Sequence, residues 1–137
     1  MGRIIAIDYG RKRFGIAVTD EQQIIATPLT TVHSKDIFDF LKDYMEKENV
    51  ESVIVGEPRQ MDNTPSEAER FIIPFLNRMK KLFPDLIVER FDERFTSKMA
   101  FQAMIDGGLR KKARQDKAMI DKISATIILQ SFLASIQ

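Results

Sequence analysis

Apolar residues along the chain fall first into three short runs that predict β-strands. Residues 3–8 and 13–19 are apolar runs separated by glycine and basic residues, and both have the length of a strand. Residues 23–32 predict a third strand, which follows a polar connection at residues 20–22. Connections this short join antiparallel neighbours, so the first quarter of the chain predicts an antiparallel meander.

The remaining pattern alternates between helical and strand spacing. The predicted elements are a helix capped by Ser34, a strand at 51–55, a helix at 66–83 that Pro74 should kink or interrupt, a strand at 86–91, a helix from Thr96 or Ser97 to about residue 105, and a helix at 117–135. The order β-β-β-α-β-α-β-α-α predicts an α/β fold with a mixed five-stranded sheet flanked by helices on both faces. We expect one domain spanning residues 1–137.

Composition narrows the class of protein and the kind of metal site. A chain of 137 residues, 44% hydrophobic and 30% charged, suits one soluble globular domain. No apolar run is long enough to span a membrane, and the strand-like start is unlike a secretory signal. The absence of cysteine excludes disulfides and thiolate sites and is compatible with a cytoplasmic protein. With His33 as the single histidine, any metal should be a hard cation held by oxygen atoms.

Basic residues are clustered although the chain as a whole is almost neutral. The net charge is +1, from 21 basic and 20 acidic residues. Arg11–Arg13 and Arg110–Arg114 are two local basic clusters, which indicate either a restricted footprint for a polyanion or solvated loop charge.

Three acids stand at the ends of predicted elements. Asp8 ends the first strand, Glu93 follows the last strand, and Asp121 lies near the start of the last helix on its apolar face. If these ends meet, the three carboxylates would repel one another unless a cation such as Mg²⁺ or Mn²⁺ neutralised them. Each acid also has a simpler interpretation: Asp8 as a turn cap, Glu93 in a surface ion pair with Arg90 or Arg94, and Asp121 as a first-turn acid.

Four ordered blocks of this sequence resemble the YqgF family, also called RuvX, of the RNase H-like superfamily. The blocks are Asp8–Ala17, Gly56–Asn63, Asp92–Ser97 and Asp121–Gln130. Together they cover nearly the whole chain, and four ordered blocks are far more specific than a single Asp-x-Gly match. The chain departs from the family pattern at Glu57, Asn63 and Ser124, where apolar, glycine and alanine residues are usual; the role of Glu57 is open.

The resemblance implies an RNase H-like fold and a divalent-metal-dependent nuclease that uses Mg²⁺ or Mn²⁺. It implies that Asp8, Glu93 and Asp121 are the catalytic acids and metal ligands. Members of the family are described as proposed Holliday junction resolvases and as nucleases proposed to mature the 5′ end of pre-16S ribosomal RNA. In such an enzyme the basic side chains would bind the nucleic acid: Lys12, Arg13 and Arg94 near the scissile phosphate, and Arg110, Lys111, Lys112 and Arg114 along the backbone.

Two other classes of function fit parts of the pattern. An ATP-dependent phosphotransferase of the actin or sugar-kinase kind also begins with a strand, an acid and a glycine turn, although that class needs two such domains. A non-catalytic nucleic-acid-binding protein could keep the same fold. The sequence leaves open an RNA or DNA substrate, one or two metal ions, and a monomer or a homodimer.

Overall fold

The structure of the protein is a computed structural model that describes residues 2–58, 67–93 and 117–136, with backbone alone at 117–120. Its strands are β1 Arg3–Asp8, β2 Arg13–Thr19, β3 Ala26–His33, β4 Val50–Glu57 and β5 Ile87–Asp92. Its α-helices are α1 Ile37–Lys47, α2 Glu69–Leu82 and α3 Lys117–Ser135, and a 3₁₀ turn at Ser34–Asp36 precedes α1. Every predicted element within the described residues is present.

The five strands form one mixed sheet in the order β3-β2-β1-β4-β5. β1, β2 and β3 pair antiparallel as the predicted meander, whereas β1 pairs parallel with β4 and β4 pairs parallel with β5. The carboxyl ends of β1, β4 and β5 therefore meet at one edge of the sheet. The predicted mixed five-stranded α/β sheet is confirmed.

Strand alternation divides the core between the two faces of the sheet. Ile5, Ile7 and neighbouring large side chains pack beneath α1 and α2. Ile4 and Ala6, one residue out of phase, lie on the other face and pack against α3. This second face is built from smaller side chains, which lets α3 lie close to the strands.

Two details differ from the predicted elements. β3 begins at Ala26 rather than residue 23, because Gln23 adopts a positive φ of 61° and the Asp20 carboxylate accepts hydrogen bonds from the backbone N–H groups of Ile24 and Ile25. α2 is not interrupted at Pro74, which lies exposed in its second turn. The predicted helix between Thr96 or Ser97 and residue 105 lies outside the described residues.

Helices α1, α2 and α3, as far as the structure describes them, include none that is both long enough and apolar enough to cross a membrane.

Candidate active site

Strand alternation aims Asp8 at the α3 side of the sheet. Ile4 and Ala6 contact α3, so the next residue in phase, Asp8, is directed to the same side at the carboxyl end of β1. On β5, Phe91 packs on this face with Phe132, at a ring separation of 6.3 Å. Glu93 is two residues after Phe91 and so points to the same face of the sheet, which places the Asp8 and Glu93 side chains on one face at the carboxyl edge.

Glycines occupy both strand positions beside Asp8. In the antiparallel register Asp8 is opposite Gly15 of β2. In the parallel register Ile7 is opposite Val55, so Gly56 of β4 lies beside Asp8 on the other side. Glycine inside a strand permits another segment to approach closely, and here it does so on both sides of one acid.

Each glycine makes room for one of the other two acids. A methyl group at Gly15 would overlap the backbone carbonyl of Asp121, so the first described turns of α3 rest directly on β2. A methyl group at Gly56 would lie 2.7 Å from a carboxylate oxygen of Glu93 and 3.0 Å from Ile128. The two glycines thus allow Asp121 and Glu93 to approach Asp8 from opposite sides.

Asp8 and Glu93 form a hydrogen-bonded carboxyl pair. Burial raises the pKa of Asp8 to about 8, helped by the negative charges of Glu93 and Asp121 and by its hydrogen bond with Glu93. Burial also raises the pKa of Glu93, against the opposing effects of the hydrogen bond from Asp8 and the charge of Arg90. Two carboxyl groups can share a hydrogen bond only if one of them is protonated, so the Asp8–Glu93 pair holds one proton between its two carboxyl groups.

Asp121 lies close enough to act electrostatically on Asp8, and its carboxylate also faces a cation. The guanidinium Nε of Arg13 is 3.6 Å from Asp121 Oδ2, with both side chains partly exposed. Within the part of the chain that the structure describes, no three acidic or histidine side chains are arranged closely enough to hold a metal ion together. The structure therefore joins Asp8 to Glu93 and leaves Asp121 beside them, next to Arg13.

This donor set is suited to a hard divalent cation. Mg²⁺ characteristically binds through one or two carboxylates and completes its octahedron with water and substrate phosphates. Asp8 and Glu93 supply two adjacent carboxylates whose mutual repulsion a cation would relieve. Asp121 could join them if its contact with Arg13 were exchanged for one with the metal.

Glu57, the departure from the family pattern, lies on the opposite face of the sheet. Val53 and Val55 belong to the core under α1 and α2, and Glu57 continues their phase. Its carboxylate is 3.9 Å from the guanidinium of Arg90. Glu57 therefore belongs to an ion-pair network on the opposite face, whose Arg90 and Glu69 charges also act on the pKa of Glu93.

Arg90 is the centre of that network. It binds Glu69 of α2 through two nitrogens, at 2.6 and 3.1 Å, and donates to the backbone carbonyls of Val55 and Gly56 at 3.2 and 2.9 Å. Both side chains of the Arg90–Glu69 pair are largely buried. Arg90 thus fixes the start of α2 and the end of β4, including the glycine on which Glu93 rests.

The predicted nucleic-acid-binding side chains divide into two groups. Lys12 is exposed at the β1–β2 turn, and Arg13 is partly exposed beside Asp121. Arg94, Arg110, Lys111, Lys112 and Arg114 lie outside the described residues.

Sequence reasoning did not identify Gly15 or Gly56 as contributors to this site, and it named Arg90 only as a possible surface partner of Glu93, not as the partner of Glu69. A signal for the glycines was present, since each interrupts a run of Ile, Val and Ala within a strand, where glycine often marks a close approach. No local pattern identifies the partner of Arg90, because Glu69 is 21 residues away along the chain and on a different element.

Comparison with known proteins adds a family and close relatives. Residues 2–135 match the family model of RuvX, described as Holliday junction resolvase. A Flavobacterium psychrophilum protein is 59% identical over 133 residues, covering 97% of both chains. A Phocaeicola vulgatus protein is 61% identical over 135 residues, covering 98% of this chain and 97% of the relative. Both relatives are named as proposed pre-16S rRNA nucleases.

Among solved structures, a crystal structure of Archaeoglobus fulgidus Pelota aligns with 98% of this chain and 37% of that one. The TM-score is 0.47 and the identity 16%, a likeness too weak to bear on function.

Proposed function

The chain belongs to the RuvX family, and from that premise we propose that it is a divalent-metal-dependent nuclease that hydrolyses phosphodiester bonds during 5′-end processing of pre-16S ribosomal RNA. The observation that carries the proposal is the Asp8–Glu93 carboxyl pair, with Asp121 beside it, at the carboxyl edge of three parallel strands. This role also implies a cytoplasmic location.

Two adjoining carboxyl groups with a third acid beside them are unfavourable for a protein without a cation. Burial and mutual repulsion raise the pKa of Asp8 to about 8, so at neutral pH the pair retains a proton. A binding site for a cation explains why the chain maintains this arrangement. A bound Mg²⁺ or Mn²⁺ would activate the attacking water and neutralise charge on the leaving oxygen.

The side chains of the protein have separate tasks in this proposal. Asp8 and Glu93 would hold the cation through their carboxylate oxygens, and the pair would give up its shared proton to do so. Arg13 lies beside the Asp121 carboxylate, and with a cation bound its guanidinium would be available to a phosphate of the substrate, which a guanidinium binds with two nitrogens. Lys12, exposed on the same turn, adds a positive charge close to the site.

A cleavage assay with purified protein tests the proposal. We expect cleavage of a pre-16S rRNA fragment in Mg²⁺ or Mn²⁺ but not in EDTA, and a loss of at least about 100-fold in Asp8→Asn and in Glu93→Gln, since these remove charge at the reacting phosphate. Asp85→Asn is the matched control, because Asp85 is exposed in the turn before β5, at the opposite end of that strand. Cleavage by Asp8→Asn at the rate of the unaltered protein would rule out the proposed site.

The family description supports a second candidate, a Holliday junction resolvase acting on branched DNA. Both substrates carry the same phosphodiester, so the acids alone do not distinguish them. Resolution requires two paired cuts and hence two sites, which predicts a homodimer on the junction, whereas trimming of RNA can be performed by a monomer. Cleavage of a four-way DNA junction in preference to the RNA fragment would favour the resolvase.

A further inference from the structure

Two arginines contact one exposed aromatic ring on the face of the sheet opposite the carboxyl pair. The guanidinium carbons of Arg11 and Arg70 are 4.8 and 4.9 Å from the ring centroid of Phe71. Phe71 is 37% exposed, whereas the core-facing side of α2 is built from Ile72, Phe75, Leu76 and Met79. These three residues, Arg11, Phe71 and Arg70, are named the arginine–phenylalanine patch.

Within the described residues, no carboxylate lies at ion-pair distance from the positive charges of the patch. Two guanidinium groups at one ring repel each other, and cation–π attraction at an exposed site offsets this by only about 0.5–1 kcal/mol each. Such an arrangement favours an anionic partner that also has a flat face.

Backbone and ring contacts connect the patch to the strand that carries Asp8. Arg11 is three residues after Asp8, so their Cα atoms are at most about 11 Å apart. The Tyr9 hydroxyl donates to the Phe71 carbonyl at 3.4 Å, and the Tyr9 ring packs against Phe14 and Phe75 at 4.7 and 5.4 Å. The patch is therefore held at a fixed position near the carboxyl edge of the sheet.

We propose that the arginine–phenylalanine patch binds an unpaired, single-stranded segment of the nucleic acid next to the cleaved bond. A base stacks on the Phe71 ring or on a guanidinium above it, and Arg11 and Arg70 bind the flanking phosphates. The inference rests on the proposed function in so far as the substrate is a nucleic acid. It assigns Arg11, Arg70 and Phe71 to binding, with no part in the chemical step.

Tryptophan fluorescence can report this stacking directly, because the chain contains no tryptophan. In Phe71→Trp, a 12-nucleotide single strand of RNA or DNA in EDTA should quench the new fluorophore at saturation, while a duplex of the same sequence should quench it much less. Ile73→Trp is the matched control: Ile73 is 45% exposed on the same helix but points about 200° away around its axis. Absence of quenching in Phe71→Trp, or equal quenching by single strand and duplex, would overturn the proposal.

Binding affinity provides a second measurement that does not depend on the tryptophan. By fluorescence anisotropy in EDTA, Phe71→Leu should weaken single-strand binding about fivefold or more. Arg11→Gln and Arg70→Gln should each reduce the slope of log affinity against log salt by about 0.7. Arg78→Gln should leave that slope unchanged, because this guanidinium lies over Phe38, 4.4 Å from its centroid, two turns further along α2. Unaltered affinity in Phe71→Leu would contradict the stacking role.

The outcome is separable from that of the proposed nuclease site. Binding in EDTA requires no metal and no cleavage, so failure of the patch variants to change binding leaves the Asp8 and Glu93 cleavage tests intact. Conversely, quenching of Phe71→Trp in a protein that does not cleave would leave binding established and the nuclease proposal refuted.

Discussion

Replacing Asp8 by asparagine should stabilise the metal-free protein while removing its activity. Burial and the neighbouring acids raise the pKa of Asp8 from 3.8 to about 8 in the folded state. The folded protein therefore binds this proton more tightly than the unfolded chain does. The favourable contribution is fully present below the unfolded pKa near 4 and is lost as pH rises through about 8. Asparagine keeps the shape of the side chain without acquiring the charge.

The raised pKa of Asp8 sets an upper limit on this gain in stability. A pKa of 3.8 in the unfolded chain and about 8 in the folded one corresponds to at most about 6 kcal/mol at alkaline pH. Asp8 is only partly buried, and water entering the site relieves part of this penalty. We expect Asp8→Asn to exceed the unaltered protein in free energy of unfolding by about 1–3 kcal/mol at pH 8.5, and by less at pH 5.5.

Urea unfolding in EDTA at the two pH values measures this difference. Asp85→Asn, at an exposed position in the turn before β5, is the control for the loss of one acid. Addition of Mg²⁺ at pH 8.5 should then stabilise the unaltered protein, by about 1.4 kcal/mol at a concentration ten times the dissociation constant. It should have a smaller effect on Asp8→Asn. Parallel pH profiles for Asp8→Asn and the unaltered protein would refute the reasoning.

Three further substitutions test the surroundings of the pair. Arg13→Gln should tighten Mg²⁺ binding, measured by calorimetry without nucleic acid, because Arg13 and the cation compete for the Asp121 carboxylate. The gain should be about fivefold if the partly exposed Arg13–Asp121 contact is worth about 1 kcal/mol, and weaker Mg²⁺ binding would contradict this competition. Gly15→Ala should destabilise the protein by about 1–3 kcal/mol in urea unfolding, because the added methyl group overlaps the Asp121 backbone, and unchanged stability would show that α3 can move away. Arg90→Met should lower the free energy of unfolding by about 3 kcal/mol in the same assay, because it leaves Glu69 without its main partner. The double mutant Arg90→Met with Glu69→Leu should recover most of this loss. If the losses of the two single mutants simply add in the double mutant, the two side chains do not stabilise the protein as a pair.

Local patterns predicted the elements because each is a short apolar run or a clear helical repeat. β1 and β2 have the predicted bounds, since a change in polarity marks both of their ends. β3 was predicted to begin three residues early, because Ile24 and Ile25 continue an apolar run although both are exposed at the turn. Composition alone does not distinguish an exposed isoleucine from a buried one.

The site was predicted less completely than the fold, because its geometry depends on the pairing of distant segments. Asp8 could be singled out as a polar residue at the end of an apolar run. That Asp8 shares a proton with Glu93 depends on β1, β4 and β5 being parallel neighbours, which the sequence does not specify. Glu57 and Glu93 point to opposite faces of the sheet. Which alternate residues of β4 and β5 face α3, and which face α1 and α2, is known only from the structure.

The unequal size of side chains on the two faces of the sheet has a consequence for how freely this protein can evolve. Beneath α1 and α2 the layer consists of large aliphatic and aromatic side chains, where a substitution that shortens one side chain can be compensated by a larger neighbour. Beneath α3, small residues such as Ala6 and Ala17, together with Gly15 and Gly56, fix the depth at which the helix rests. Enlarging any of them would raise the helix and carry Asp121 away from Asp8. Neutral variation should therefore accumulate on the first face, and selection should act mainly on the second.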